Sequence, residues 1–408
     1  LELYDQCGGT GWAEGYNWRV ASGPDKYAGV IIEGGHVQGI ALDQVGLTGQ
    51  LPKSFFTAFP ELRLVGLSNN RLSGPIPEAF GEMTKLQALT LSSNLWTGQL
   101  PNLDKLVNMK ILHLANFYNV DTKGNVISEV TGTLPDISKM PQLEYIDASF
   151  SNLSGQLPEQ INLCRNLQVL ELSFNQLTGS IPASIGECTE LQIFSVQNNK
   201  MSGEIPDLST LVNLGKPLDL GLGITEPGRL YLNSNQFTGS FPESITMLPR
   251  LQRFSCANNK LTGALPQDLS MMEDCEALFA DHNQFTGALP QKLWYLDLGY
   301  NQFTGSIPAT WKDATELGKI SLRNNNLSGT VPAIYKKLAN LDMIDVRNCR
   351  FSFADFKAWR AFIKNEDCMF RFGMQQAYSE PHKESVKSGS DVTFDATYPG
   401  TLIGDEHY

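Results

Sequence analysis

The stretch LQVLELSFNQLTGSIPASIGECTE, residues 167–190, decides how the whole chain is read. It is followed at once by LQIFSVQNNKMSGEIP, residues 191–206, with apolar residues at the same places. The string Gly-x-apolar-Pro occurs in both, at Gly179 and Gly203. Working outward gives twelve such strings, at Gly49, Gly74, Gly98, Gly132, Gly155, Gly179, Gly203, Gly239, Gly263, Gly287, Gly305 and Gly329. Six of the eleven spacings are 24, and 34, 36 and 18 mark two insertions and one deletion. A fixed period of this length is the mark of a solenoid, in which each unit buries its apolar face only against its neighbours.

Each slot has a physical reason. The L-x-x-L-x-L segment puts its apolar positions into a shared core, and its strands lie about 4.8 Å apart in a parallel sheet. An Asn then bonds backbone groups left open where the strand ends. Nine of thirteen units keep it, at Asn70, Asn94, Asn175, Asn199, Asn235, Asn259, Asn283, Asn301 and Asn325; Val45, Phe117, Ser151 and Cys349 are the exceptions. Gly supplies a backbone conformation closed to other residues. Pro sets φ for the return path.

These strings resemble the leucine-rich repeat family in its 24-residue form, L-x-x-L-x-L-x-x-N-x-L-[ST]-G-x-[IL]-P, known from plant receptor ectodomains and their bacterial relatives. The resemblance covers about residues 37–349. It implies an α/β leucine-rich repeat solenoid, with a curved parallel sheet on the concave side and short helical or 3-10 turns on the convex side. Residues 1–36 contain Leu1, Leu3, Tyr4, Trp12, Trp18 and Tyr27. They resemble the N-terminal cap of extracellular members, with Leu1 starting inside a helix. The paired cysteines of plant caps are missing, and the match to secreted Bacteroidetes proteins is closer. Residues 350–369 are expected to form an amphipathic capping helix, and 370–408 a short β-like tail.

Composition removes several alternatives. The 408 residues carry a net charge of -12 and are 41% hydrophobic and 18% charged. That is too apolar and too lightly charged for a disordered chain. No apolar run reaches the ~18 residues of a membrane span. An acidic chain repels phosphate, which argues against nucleic acid. The seven cysteines are too few for a disulfide scaffold. Cys164 and Cys188, one period apart, are either two buried thiols or a disulfide, and Cys349 and Cys368 form a second candidate pair. No zinc spacing occurs. His36, His113, His282, His382 and His407 fit no metal motif, and no G-x-S-x-G or P-loop string is present. Neither catalysis nor a cofactor is expected.

The repeat register predicts surface rows. The outward position between the last two core residues of each strand runs Ala41, Gly66, Thr90, His113, Asp147, Glu171, Ser195, Tyr231, Ser255, Phe279, Asp297, Ser321, Asp345. His113, Asp147 and Glu171 stand on consecutive strands and form either a cation or amine site or a solvated polar face. Arg229, Asn233, Arg253, Asp281, Tyr295, Arg323 and Arg347 flank Tyr231, Phe279 and Asp297 as a mixed aromatic and charged patch. Phe150, Phe174 and Tyr300, just before the Asn slot, read as structural. The insertions at 118–128 and 215–227 are either loop variation or frames for a binding face. The expected function is non-enzymatic recognition of a protein or peptide at or outside the cell surface. A bacterial glycan-binding or adhesion protein and a spacer without ligand are the alternatives.

Overall fold

A computed structural model gives the fold. It describes residues 1–20, 26–116, 129–219, 225–269, 272, 274–275, 277–291, 296–314, 318–333, 338, 340–352, 354–355, 369–372, 385–387 and 393–395. The chain divides into two compact units. One holds Leu1–Ser202 and Pro206–Leu214; the other holds Gly203–Ile205 and Gly215–Tyr408.

The first unit opens with a helix, Glu2–Gln6, that begins one residue after Leu1. Tyr4, Trp12, Trp18 and Tyr27 follow one another ring to ring, with centroids 5.1 to 5.2 Å apart. The strand Val30–Glu33 pairs antiparallel with His36–Ala41. From there every step is parallel, through Leu64–Gly66, Ala88–Thr90, Ile111–His113, Tyr145–Asp147, Val169–Glu171 and Ile193–Ser195. The second unit repeats the scheme with Arg229–Tyr231, Arg253–Ser255, Ala277–Phe279, Leu296–Asp297, Lys319–Ser321 and Met343–Asp345. It adds Met369–Arg371, a strand outside the repeat grid. Met369 was expected to end a helix. Of that stretch, residues 350–352 and 354–355 are not α-helical, and Phe353 and residues 356–368 lie outside the described residues.

The slot chemistry explains the stacking. Leu167, Leu170, Leu172, Leu177, Ile185 and Leu191 are all fully buried. All twelve Gly of the Gly-x-apolar-Pro strings have positive φ, for example +77° at Gly179. Pro77, Pro182, Pro242 and Pro308 cap the 3-10 turns Glu78–Glu82, Ala183–Glu187, Glu243–Met247 and Ala309–Asp313. The Asn70 carboxamide accepts from the N–H groups of Val45, Gly46 and Leu47 at 2.8–3.1 Å. It donates to the carbonyls of Leu42, Leu67 and Ser68 at 2.8–3.1 Å. Where Asn is absent, other side chains take over. The Ser151 hydroxyl donates to the Leu114 carbonyl at 3.1 Å, and the Cys349 thiol to that of Leu322 at 3.3 Å. In the coil of Asn94, the Trp96 indole donates to the Leu91 carbonyl at 3.0 Å, which also accepts from Asn94.

Cys164 and Cys188 are free, buried thiols, and Cys349 is also free. Burial pushes Cys164 up to about 12 and Cys188 up to about 11. Cys368 lies outside the described residues. So does the 118–128 insertion.

Candidate functional site

The outward rows fall as the period predicts, within each unit. In the first, Ala41, Gly66, Thr90, His113, Asp147, Glu171 and Ser195 are consecutive register partners. The His113 Nε2 stands 3.5 Å from Asp147 Oδ2. Asp147 Oδ1 accepts from the Ser149 N–H at 2.9 Å and its hydroxyl at 2.6 Å. Solvation differs from a washed polar face. Asp147 is 5% exposed, Glu171 7%, and Ile193 on the same side 0%. A period places a residue on a face but does not say what covers that face. Among the described residues no three His, Cys, Asp or Glu side chains are placed to hold a metal.

In the second unit Tyr231, Ser255, Phe279, Asp297, Ser321 and Asp345 form the corresponding row. All except Ser255, Ser321 and Asp345 are half-buried. Arg229 precedes Tyr231 by two residues and donates to Glu226 at 3.3 Å. Glu226 belongs to a short antiparallel pair, Leu218–Asp219 with Thr225–Glu226, in the second insertion. The base of that insertion is held closely: a Cβ on Gly228 would stand 2.0 Å from the Gly215 carbonyl carbon. Arg253 is exposed, and Asn233 and Asp281 are half-buried. Tyr295 lies outside the described residues.

Asp281 Oδ2 is 2.7 Å from His282 Nδ1. The His282 ring stacks on Tyr300 with centroids 3.9 Å apart, and the Arg323 guanidinium lies over Tyr300 at 4.8 Å. This stack is not evident from the row arithmetic. Its signal is the residue before the Asn slot, which takes positive φ at Phe150, Phe174, His282 and Tyr300. Bulky residues adopt that conformation at a cost of roughly 1–2 kcal/mol. Phe150 and Phe174 stack face to face at 4.2 Å. Both stacks have a member open to solvent, Phe174 at 40% and Tyr300 at 37%.

Asp297 accepts from the Gly299 N–H at 3.0 Å. Burial, helped by the nearby Asp281 carboxylate, nonetheless holds it above the usual carboxylate range, against the pull of that amide. A carboxyl with a raised native pKa binds its proton more tightly when folded. Its ionisation therefore lowers stability at neutral pH, and stability returns as the pH falls below the ordinary carboxylate range. Asp297→Asn is expected to raise the urea midpoint at pH 7 and to leave it unchanged near pH 3. Equal effects at both pH values would show that charge is not the cause.

The sequence profile of the Leucine Rich Repeat family matches residues 61–83, 166–188 and 292–314. Pollen receptor-like kinase 2 of Arabidopsis thaliana is 30% identical over 145 residues, which is 35% of this chain and 21% of that protein. The chain spans 21%, 6% and 13% of the first three curated relatives it matches. The plant peptide hormone receptor RGFR1 in complex with RGF2 superposes with a TM-score of 0.48 at 24% identity, over 86% of this chain and 72% of that one. A leucine-rich repeat protein of Leptospira interrogans superposes with a TM-score of 0.54 at 25% identity, over 82% of this chain and 84% of that one. The chain carries leucine-rich repeats and folds as a leucine-rich repeat solenoid with a parallel sheet and few helices.

Proposed function

We propose that this is a non-enzymatic recognition protein that works outside the cell or at its surface. It binds a protein or peptide through the outward face of the sheet in the second unit. The observation that carries the reading is the row Tyr231, Ser255, Phe279, Asp297, with Arg229 and Arg253 in register beside it. Tyr and Arg are the side chains that contribute most when a partner buries them. A rigid sheet presents them with little ordering cost on binding. Asn233 and Asp281 supply polar contacts at the strand ends. The row of half-buried His113 and buried Asp147 and Glu171 is a weaker candidate for the same role. The curated relatives named as receptor-like kinases support a recognition role for the repeats, and no described helix is long and apolar enough to cross a membrane. The cap lacks paired cysteines, with Cys7 free, which favours the secreted bacterial form of the repeat.

Peptide and glycan arrays probed with the wild type and with Tyr231→Ala/Phe279→Ala test the reading. Peptide signal that falls at least about tenfold in the double variant, or 1.4 kcal/mol, is the expected result. Glycan signal alone would make it a lectin, and silence on both arrays a spacer. Signal that survives the double substitution would put the site elsewhere.

A further inference from the structure

The outward face of the second unit carries cations that its own carboxylates do not satisfy. Arg229 is held by Glu226 at 3.3 Å, and Arg347 by Asp345 at 2.8 Å. Arg253 and Lys319 are exposed, and neither side chain has an ion-pair or hydrogen-bond partner among the described residues. They occupy the same row, two residues before Ser255 and Ser321. Arg323, on the same face, keeps a buried Nε–H without an acceptor. Of the carboxylates on this face, Asp345 is taken by Arg347 and Asp281 meets His282 at 2.7 Å, while Asp297 is disfavoured in its charged form. In the first unit, by contrast, Lys85, Lys105, Lys110 and Lys139 each meet a carboxylate at 2.5–3.2 Å.

Arg253 and Lys319 lie three strands apart, with Phe279 on the strand next to Arg253. Three strand spacings make about 14 Å, and an extended chain advances about 3.3 Å per residue. Four residues of an extended segment crossing the strands therefore span the two cations.

We propose that this face takes an extended acidic peptide segment, with carboxylates about four residues apart on Arg253 and Lys319 and an apolar side chain between them over Phe279. The proposal rests on the peptide-binding reading above and names the chemistry of the partner. The chain as a whole is acidic, at -12. An acidic segment gains nothing from the distant field, so its attraction must be local and should weaken with salt.

The test is fluorescence anisotropy of the full chain with labelled synthetic peptides of about fourteen residues. Each has a central Leu flanked by two Glu, two Gln or two Lys, at separations of two, four, six or eight. Wild type is compared with Arg253→Glu/Lys319→Glu, with folding checked by circular dichroism. The Glu peptide of separation four should bind at least about tenfold more tightly than its Gln and Lys counterparts. The charge-reversed protein should lose that peptide and prefer Lys. Equal binding of all three charge types, or binding unchanged by the reversal, overturns the acidic assignment and leaves peptide recognition standing. Silence across the panel also overturns it. If the peptide array is silent too, the broader reading fails with it.

Discussion

Asn175→Leu is expected to lower the unfolding free energy by about 4 kcal/mol, read as a drop in the urea midpoint followed by circular dichroism. Leu keeps the branched heavy-atom shape of Asn and removes every hydrogen bond, with its bulkier methyl groups adding some crowding. The Asn175 Oδ1 accepts from the N–H groups of Ser151 at 3.2 Å and Leu153 at 2.9 Å. Its Nδ2 donates to the carbonyls of Ala148, Leu172 and Ser173 at 2.8, 3.0 and 3.2 Å. All of these groups are buried, and a stranded buried donor or acceptor costs roughly 1–3 kcal/mol. Asn175→Ser should be milder, because Ser151 shows a hydroxyl reaching the carbonyls of Leu114 and Ser149, each at 3.1 Å. A Leu variant within about 1 kcal/mol of wild type would mean that the Asn ladder is dispensable at this rung.

Trp311→Ala should cost about 3–5 kcal/mol, the range for emptying a buried aromatic site. Trp311 is among the largest fully buried side chains of the protein. It belongs to the turn Ala309–Asp313 that follows the shortest spacing in the chain, 18 residues from Gly287 to Gly305. Its indole N–H reaches back to the Pro290 carbonyl at 2.7 Å, and Thr310 bonds the Gln291 carbonyl at 2.6 Å. A large side chain thus occupies the space beside a shortened return path. Trp311→Phe keeps most of the ring but leaves that carbonyl unpaired, so a smaller loss of about 1–3 kcal/mol is expected. Hydrogen exchange should locate the damage at the turn Ala309–Asp313. A loss below about 1 kcal/mol for the Ala variant would show that the coil closes without it.

The rows were legible in the sequence because two periodicities coincide. Side chains alternate across a strand with period two, and strands recur every 24 residues. Together they bring Tyr231, Ser255 and Phe279 into one line before any coordinate is known. The Asn, Gly and Pro slots were legible for the same reason, since each answers a backbone need that recurs in every coil.

Other features were not. Asp147 and Glu171 are on the predicted face yet buried there, and the aromatic residues before the Asn slot, read as structural, stand partly open. Trp96 shares the Leu91 carbonyl with Asn94, a role no spacing announces. Met369–Arg371 adds a strand with none of the repeat's signatures. The sequence by itself determined register, core and the direction each side chain leaves the sheet, because these follow from a repeated local geometry. Only the tertiary structure decided which outward groups are covered, which charges find partners and which, like Arg253 and Lys319, do not. Those outcomes depend on distances between residues that share no period, such as Arg229 and Glu226, or Arg323 and Tyr300.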